Sequence, residues 1–403
     1  MAPKPPAPFS EPLLPQLDLP VNPYYTEKHH RLRAFVRNYI DTEIAPYAQE
    51  WEIAGQVPES VRLRHCQLGF AITHPVIDPA DAGGLQHPAG IPFDEWDTWC
   101  GVIVSDEINR LGWCGPMWGL GGGNGIGCPP ISRFGTKEQR QRWLPKVARG
   151  EYRFCLGITE PDGGSDVANI KTTAERDGNI YRVNGSKKWI TNGIWSDYAA
   201  MAVRTSGAGP KGLSMIWVPL KGHPGVDLRR IKVSGQRSGG TTFIDLEDVE
   251  VPVENLIGEE GQGMRYIMTN FNHERLTICI SATRQARVAL SSAFAYVLKR
   301  EAFGAPLINI GVVRHRLSKA GCLLESHWAW IEQLVYQMVN MKKEDADIEL
   351  GGLTAAAKAH TGIVLRKCAD CLVLLMGGNG YTRSGQGEIA ERMWREVNGI
   401  RIP

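Results

Sequence analysis

The sequence has no run approaching about 18 consecutive apolar residues, which excludes a segment that crosses a membrane as a helix. It also has no long block of like charges, and 45 Lys and Arg against 43 Asp and Glu leave a formal charge of +2. That balance argues against nucleic acid as a partner, because such binders need a basic patch or stripe. Residues 1–20 are rich in proline but lack the apolar core of a signal peptide, and are expected to form a poorly ordered arm. Glu11 and Asp18 interrupt that arm, and the first arginine is Arg31, so a mitochondrial presequence is not expected either. The terminal Arg401-Ile402-Pro403 is not a peroxisomal tripeptide. Nine cysteines, an odd number spread over 403 residues, argue for free thiols in an intracellular, reducing compartment, with the cytoplasm favoured. Cys368 and Cys371 form a CxxC without the second pair that zinc needs, so they read as thiols of a buried helix.

What is present has a three-part texture. Leu32, Phe35, Val36, Tyr39, Ile40 and Ile44 follow the spacing of one helix face. Thr136 is a capping candidate for the segment TKEQRQRWLPKVARG. From residue 151 to 258 the runs IYRVNGSKKWIT, YAAMAVRT, LSMIWVPL, TTFIDL and DVEVPV alternate with turn formers, and Asn184-Gly185 is a tight-turn signal. This predicts a compact β domain of about six to eight strands. Segments near 263–300, 312–343, 350–376 and 387–397 return to helical period. The fold class expected is α+β: an arm over 1–24, an N-terminal helical domain over 25–150, a middle β-barrel-like domain over 151–258, and a C-terminal four-helix bundle over 259–403.

Four segments invite chemistry. GLGGGNGIG at 119–127 matches G-x-G-x-x-G in no register, and no clear strand precedes it, so a Rossmann site is not expected. A linker, or a wall that backbone approaches closely, is the better reading. In LGITEPDGGSD at 156–166, Gly163 and Gly164 permit close approach while Ser165 and neighbouring amides could donate to an anion or a ring carbonyl. In KKWITNG at 187–193, strand alternation predicts Trp189 and Thr191 on one face, a flat wall and a hydroxyl suited to a planar heteroaromatic ring; a core tryptophan is the plainer alternative. Glu274 falls on the apolar stripe of Met264, Ile267, Met268, Phe271, Ile278 and Ala282. A carboxylate there is either ion-paired or a base held in apolar surroundings, and the pattern weighs the two equally.

Taken together, ITEPDGGSD, KKWITNG, REAFG and LLMGGNGY, with FGTKEQRQRWLPKVARGE before the β segment, resemble the acyl-CoA dehydrogenases over residues 30 to 403. The resemblance implies FAD as cofactor, an acyl-CoA substrate, a role in fatty acid metabolism, and an electron-transfer flavoprotein or other acceptor. It also implies a homodimer or homotetramer. Leu156, Ile158, Thr159 and Ser165 match the family's flavin loop, with Ser165 also near the thioester. Trp189, Ile190 and Thr191 match the segment flanking the isoalloxazine. Arg300 and Phe303 match residues that reach the FAD of a neighbouring subunit, and Gly377 and Gly378 a backbone approach to its ADP half. FNHERL at 271–276 resembles the isovaleryl- and long-chain-type variant, which places the catalytic Glu on this earlier helix. The more usual position, counted from Arg395 and Glu396, falls just past Pro403, where the family continues into a final helix. Glu274 is therefore implied as the base that takes the α-proton while the β-hydrogen leaves as hydride to flavin N5. Arg275 would lie beside the base and the CoA portion, and Asn272, with Ser165 and Arg275, is implied as substrate-binding. No metal is implied. Ile310, Gly311 and Leu374 stand where many members carry polar side chains toward the neighbour's FAD. Two alternatives stay open: a flavin oxidase or monooxygenase on the same scaffold, and a flavin-binding protein without catalysis.

Overall fold

Thr136 shows how local chemistry sets an element's start: its hydroxyl accepts from Gln139 N at 3.2 Å while Gln139 Oε1 accepts from Thr136 N at 3.0 Å, a reciprocal cap on the helix that follows. The computed structural model describes residues 7–12, 23–75 and 77–402. In chain order its helices are α1 (Glu27–Tyr39), α2 (Ala48–Ala54), α3 (Glu59–Gln67), α4 (Thr98–Asn109), α5 (Cys114–Gly127), α6 (Pro129–Phe134) and α7 (Lys137–Ala148). After the strands come α8 (Gly263–Val297), α9 (Gly311–Asn340), α10 (Lys343–Glu349), α11 (Gly351–Met376) and α12 (Glu388–Arg401).

Eight strands form one sheet: β1 (Phe154–Gly157), β2 (Thr173–Asp177), β3 (Ile180–Ile190), β4 (Tyr198–Arg204), β5 (Leu213–Pro219), β6 (Val226–Arg230), β7 (Thr242–Pro252) and β8 (Leu256–Ile257). The order is β6-β7-β3-β2-β4-β5-β8, with β1 pairing in parallel with β4. Ala199, Met201 and Val203 of β4 enter one apolar cluster and Ala200 and Ala202 the other, so this strand is covered on both faces. Covering on both faces is why its sequence reads as an unbroken apolar run rather than an alternation. On one side Trp143, Leu144 and Val147 of α7 pack with Trp217 of β5, each burial of a large side chain being worth about 1.5–3 kcal/mol. A short hairpin, β9 (Glu301–Ala302) and β10 (Ala305–Pro306), follows α8.

The compact units do not follow chain order. One contains the described residues up to Ile40, Asp97–Gly112 and Asn272 onward; the other contains Asp41–Trp96 and Trp113–Phe271. The first helical segment is thus divided, because α1 packs on α4 and α4 on α9 while α5 packs with β1. The boundary falls inside α8, after Phe271.

Two expectations change. GLGGGNGIG is not a linker but most of helix α5, and it is the second reading, a wall that backbone approaches closely, that holds. Its glycines admit the sheet: an added Cβ would lie 2.5 Å from the Phe154 carbonyl oxygen at Gly123 and 2.6 Å from that of Cys155 at Gly127. Where the proline-rich arm is described, it is packed rather than loose. Phe9 lies tilted against Phe294, ring centroids 5.3 Å apart, and fills the space left by Gly321. Arg284 Nη1 donates to the Ser10 carbonyl at 2.8 Å and Arg287 Nη1 to that of Glu11 at 3.0 Å. Residues 1–6 and 13–22 of that arm lie outside the described residues.

Candidate active site

The segments expected to face a flavin lie where β1 and β3 end. Leu156 lies on β1, and Ile158 and Thr159 follow it directly; Leu156 and Ile158 are buried and Thr159 is half-buried. Lys188 N donates to the Thr159 carbonyl at 2.8 Å, joining the two chain ends. The ladder between β3 and β7 pairs Lys187 with Ile244 and then Ile190 with Thr242, so Lys188 and Trp189 together oppose Phe243: a bulge. Trp189 stands in it with φ of +67°, left-handed backbone that glycine usually supplies, and with 52% of its surface exposed. Strand alternation therefore does not carry through to Thr191, which lies half-buried in the turn after β3, and the expectation of Trp189 and Thr191 on one strand face is corrected by the bulge. Ile190, next along, is buried.

Ser165 is exposed on the loop between Ile158 and β2. The loop is closed at its base by Glu160 N to Gly163 O at 2.9 Å and Gly163 N to Glu160 O at 3.2 Å. Three residues that the motif reading did not single out hold this wall. Asn192 accepts from Gly123 N at 2.7 Å through Oδ1 and donates to the Gly239 carbonyl at 2.8 Å through Nδ2, tying α5 to the segment before β7. Lys187 and Glu160 form a buried ion pair at 2.9 Å. The signal for Lys187 was available: it continues the inward alternation of Tyr181 and Val183 on β3, where a lysine requires a buried partner.

On α8, in the other unit, Asn272, Glu274 and Arg275 are all half-buried, and Arg275 Nη1 donates to Asn272 Oδ1 at 3.1 Å. Gly351 at the start of α11 faces the Asn272 amide; a Cβ there would lie 3.1 Å from Nδ2. At the far end of α8, Arg300 N donates to the Tyr296 carbonyl at 2.9 Å and Asn379 Nδ2 to the Tyr296 hydroxyl at 3.3 Å. Tyr296, four residues before Arg300, is thus bonded to the Gly377–Tyr381 turn. Phe303 and Gly304 have φ of +54° and +77°, so the β9–β10 hairpin turns on two left-handed residues, with Phe303 96% exposed at the tip. Arg300, Phe303, Gly377 and Gly378 thus share one end of the bundle. Glu274 stands 22 positions before Tyr296, about 33 Å along the same helix, so these two groups are not one cluster. Of the departures from the family pattern, Leu374 is 59% exposed.

The residues suit FAD. A half-exposed tryptophan held in left-handed backbone offers a flat apolar face, and Thr159 and Thr191 beside it are half-buried rather than sealed in the core. Gly377, with φ of +57°, and Gly378 have no atom within 4 Å of an added Cβ, which leaves the open backbone that the approach of a diphosphate group requires. A metal centre is a poorer fit. His29, Asp97 and Cys100 come together, but Lys28 Nζ already pairs with Asp97 at 2.9 Å, and Asp97 caps α4 by accepting from Cys100 N.

In chain order the described residues run helices, an eight-stranded sheet and helices again, and the half-exposed Trp189 with Thr159 and Thr191 suits an oxidoreductase that uses a flavin. Comparison specifies which kind. Family models match three successive parts of the chain: the acyl-CoA dehydrogenase N-terminal domain over residues 26–151, the middle domain over 155–249 and the C-terminal domain over 261–403. The chain is 53% identical over 402 residues to acyl-CoA dehydrogenase apdG of Emericella nidulans, covering 98% of this chain and 91% of that protein. It is 42% identical to acyl-CoA dehydrogenase AFT10-1 of Alternaria alternata, covering 98% and 92%. A solved structure of an acyl-CoA dehydrogenase assigned in Mycobacterium smegmatis superposes with a TM-score of 0.85 at 30% identity, covering 94% of each chain. The chain belongs to the acyl-CoA dehydrogenase family; it is an FAD-dependent enzyme acting on acyl-CoA. Among the described residues, no helix is long and apolar enough to cross a membrane.

Proposed function

We propose that Glu274 is the base of this dehydrogenase, removing the α-proton of an acyl-CoA thioester. The observation that carries the reading is the place of Glu274: a carboxylate on the apolar stripe of α8, half-buried, next to the Arg275–Asn272 pair. A thioester α-proton is weakly acidic, so the base must be held at the proton with water kept away. Glu274 accepts it on a side-chain oxygen, on a helix whose position is fixed by the bundle. Arg275, oriented by Asn272, offers a cation to the CoA portion. FAD, when bound, accepts the β-hydrogen as hydride. Leu156, Ile158, Thr159, Ser165, Trp189, Ile190 and Thr191 hold its ring, and Thr159 and Thr191 offer it hydroxyls.

Arg300, Phe303, Gly377 and Gly378 serve the FAD of a second copy. The span of about 33 Å along α8 from Glu274 to Tyr296, whose hydroxyl bonds the Gly377–Tyr381 turn, supports this, as does an aromatic side chain left 96% exposed at a hairpin tip. The working form is accordingly a homodimer or homotetramer. The acceptor is an electron-transfer flavoprotein, so reduced enzyme in complex with product resists reoxidation by air. Nine cysteines, none of them in a disulfide and Cys322 the exposed one among them, support a reducing compartment, the cytoplasm first.

The test is anaerobic bleaching of the bound flavin by a panel of acyl-CoAs, parent against Glu274→Gln. The variant is expected to take up FAD normally and to bleach about 10²–10⁴-fold more slowly, the range of one acid–base group. Equal rates would show that the base lies elsewhere.

A further inference from the structure

Behind the flavin wall, Lys187 is fully buried and Glu160 is 5% exposed. Lys187 Nζ donates to Glu160 Oε1 at 2.9 Å and to the Ile158 carbonyl at 3.1 Å. Glu160 Oε1 also accepts from Thr172 N at 2.9 Å and from the Thr172 hydroxyl at 2.5 Å, and its Oε2 accepts from Lys171 N at 2.6 Å. The carboxylate is therefore saturated by β2's approach, and the ammonium bridges the first loop to β3. Burial pulls the Lys187 ammonium down from 10.5 to about 8, against the pull of Glu160, the charge acting on it. Ile244 is its ladder partner, and Gly157 and Met201 flank its stem.

A buried ion pair is a poor stabiliser, since well-packed apolar residues of equal volume usually do as well or better. Its persistence calls for another use, and the Ile158 carbonyl supplies one. A planar trans peptide sets the N–H antiparallel to the C=O. With the Ile158 carbonyl turned inward onto Nζ, the Thr159 N–H must point outward, and among the described residues no backbone acceptor receives it. The Thr159 carbonyl is fixed in turn by Lys188 N. Both faces of the half-buried Thr159 are thus set by consecutive lysines of β3.

Building on the flavin reading above, we propose that Lys187, held by Glu160, is a positioning residue that fixes the Ile158–Thr159 peptide so that the Thr159 N–H is presented to a flavin carbonyl. Neither residue touches the flavin; both act through the peptide. The ammonium's charge also lies behind that hydrogen bond and polarises it, so the flavin's midpoint potential senses the state of Lys187.

The test uses full-length protein with FAD. In the parent, the potential plotted against pH is expected to show a break near pH 8; a parent that binds FAD with no break between pH 7 and 9 overturns the proposal without any variant. Lys187→Met combined with Glu160→Gln keeps the site neutral, and should abolish the break and weaken FAD binding about tenfold, the worth of one hydrogen bond. Lys187→Arg should keep the break out of this range and restore most of the affinity. A folded double variant with the parent's FAD affinity and an unchanged potential curve refutes the proposal. A parent that takes up no FAD overturns the function reading as well, whereas a parent that dehydrogenates acyl-CoA but fails the tests above overturns this inference alone.

Discussion

Two glycine-to-alanine exchanges in helices are expected to move stability in opposite directions. Ala in place of Gly in a helix interior stabilises by about 0.5–1 kcal/mol, through the entropy of the unfolded chain. At Gly101 of α4 an added methyl meets no atom within 4 Å, so that gain should appear in full. At Gly123 of α5 the same methyl would lie 2.5 Å from the Phe154 carbonyl oxygen and 2.8 Å from the Asn192 Cβ. Neither neighbour is the free end of a flexible side chain, so helix and strand must part by several tenths of an ångström. Overpacking of this kind costs about 1–3 kcal/mol, which outweighs the propensity gain and leaves a net loss of up to about 2.5 kcal/mol. The shift also stretches the 2.7 Å bond from Gly123 N to Asn192, so FAD retention should fall with stability. Denaturant midpoints of the two variants, with flavin content measured on the same samples, check both statements. Gly123→Ala as stable as the parent, or more so, would refute the packing argument.

In the C-terminal unit, Arg284 donates to Asp106 at 2.7 Å with both side chains buried. Burial alone would raise the Asp106 carboxyl, but the charge and hydrogen bonds of Arg284, with Arg33 and Arg287 behind, hold it below 3.8. That pairing stabilises the fold above the unfolded value of 3.8, and the contribution is lost as pH falls below it. Asp106→Asn, which strands a buried guanidinium, should cost about 3–5 kcal/mol at pH 7 and flatten the acid limb of the stability–pH curve. Phe303→Asp should leave the unfolding midpoint of the subunit within about 0.5 kcal/mol, as an exposed exchange does, while lowering self-association in sedimentation velocity and FAD retention with it. Unchanged association would remove the hairpin from the interface.

Much of this was legible in the sequence, and the legible part has a common cause. Helical stripes such as Leu32, Val36 and Tyr39, the cap at Thr136 and the turn-punctuated β runs are each decided by neighbours a few positions away. What was not legible depends on partners far along the chain. GLGGGNGIG looks like a breaker of helices until β1 lies on it, because local propensity cannot register that Phe154 and Cys155 need the room. The arm looks solvent-bound until Phe9 meets the gap at Gly321. Glu160 and Lys187 are 27 positions apart, and only alternation along β3 hints that the lysine points inward.

Trp189 joins the two kinds of information. The motif made it a candidate wall, and a regular strand would have set its direction; instead the residue occupies a left-handed position in a bulge. For a non-glycine residue that backbone costs roughly 1–2 kcal/mol. The cost is not recovered by burial, since 52% of the residue stays exposed, with Lys188 Nζ over its ring at 4.8 Å from the centroid. An exposed aromatic in strained backbone persists only where the surrounding structure over-determines it. Here the determinants are visible: Lys187 anchored to Glu160 on one side, and Ile190 buried in the sheet with Asn192 tied to α5 and Gly239 on the other. The two residues between those anchors must bulge, and the bulge turns the indole outward. The same lysine that sets the Thr159 peptide therefore also sets one end of the Trp189 bulge, so the wall's flat face and its hydrogen-bonding edge are fixed by one buried pair.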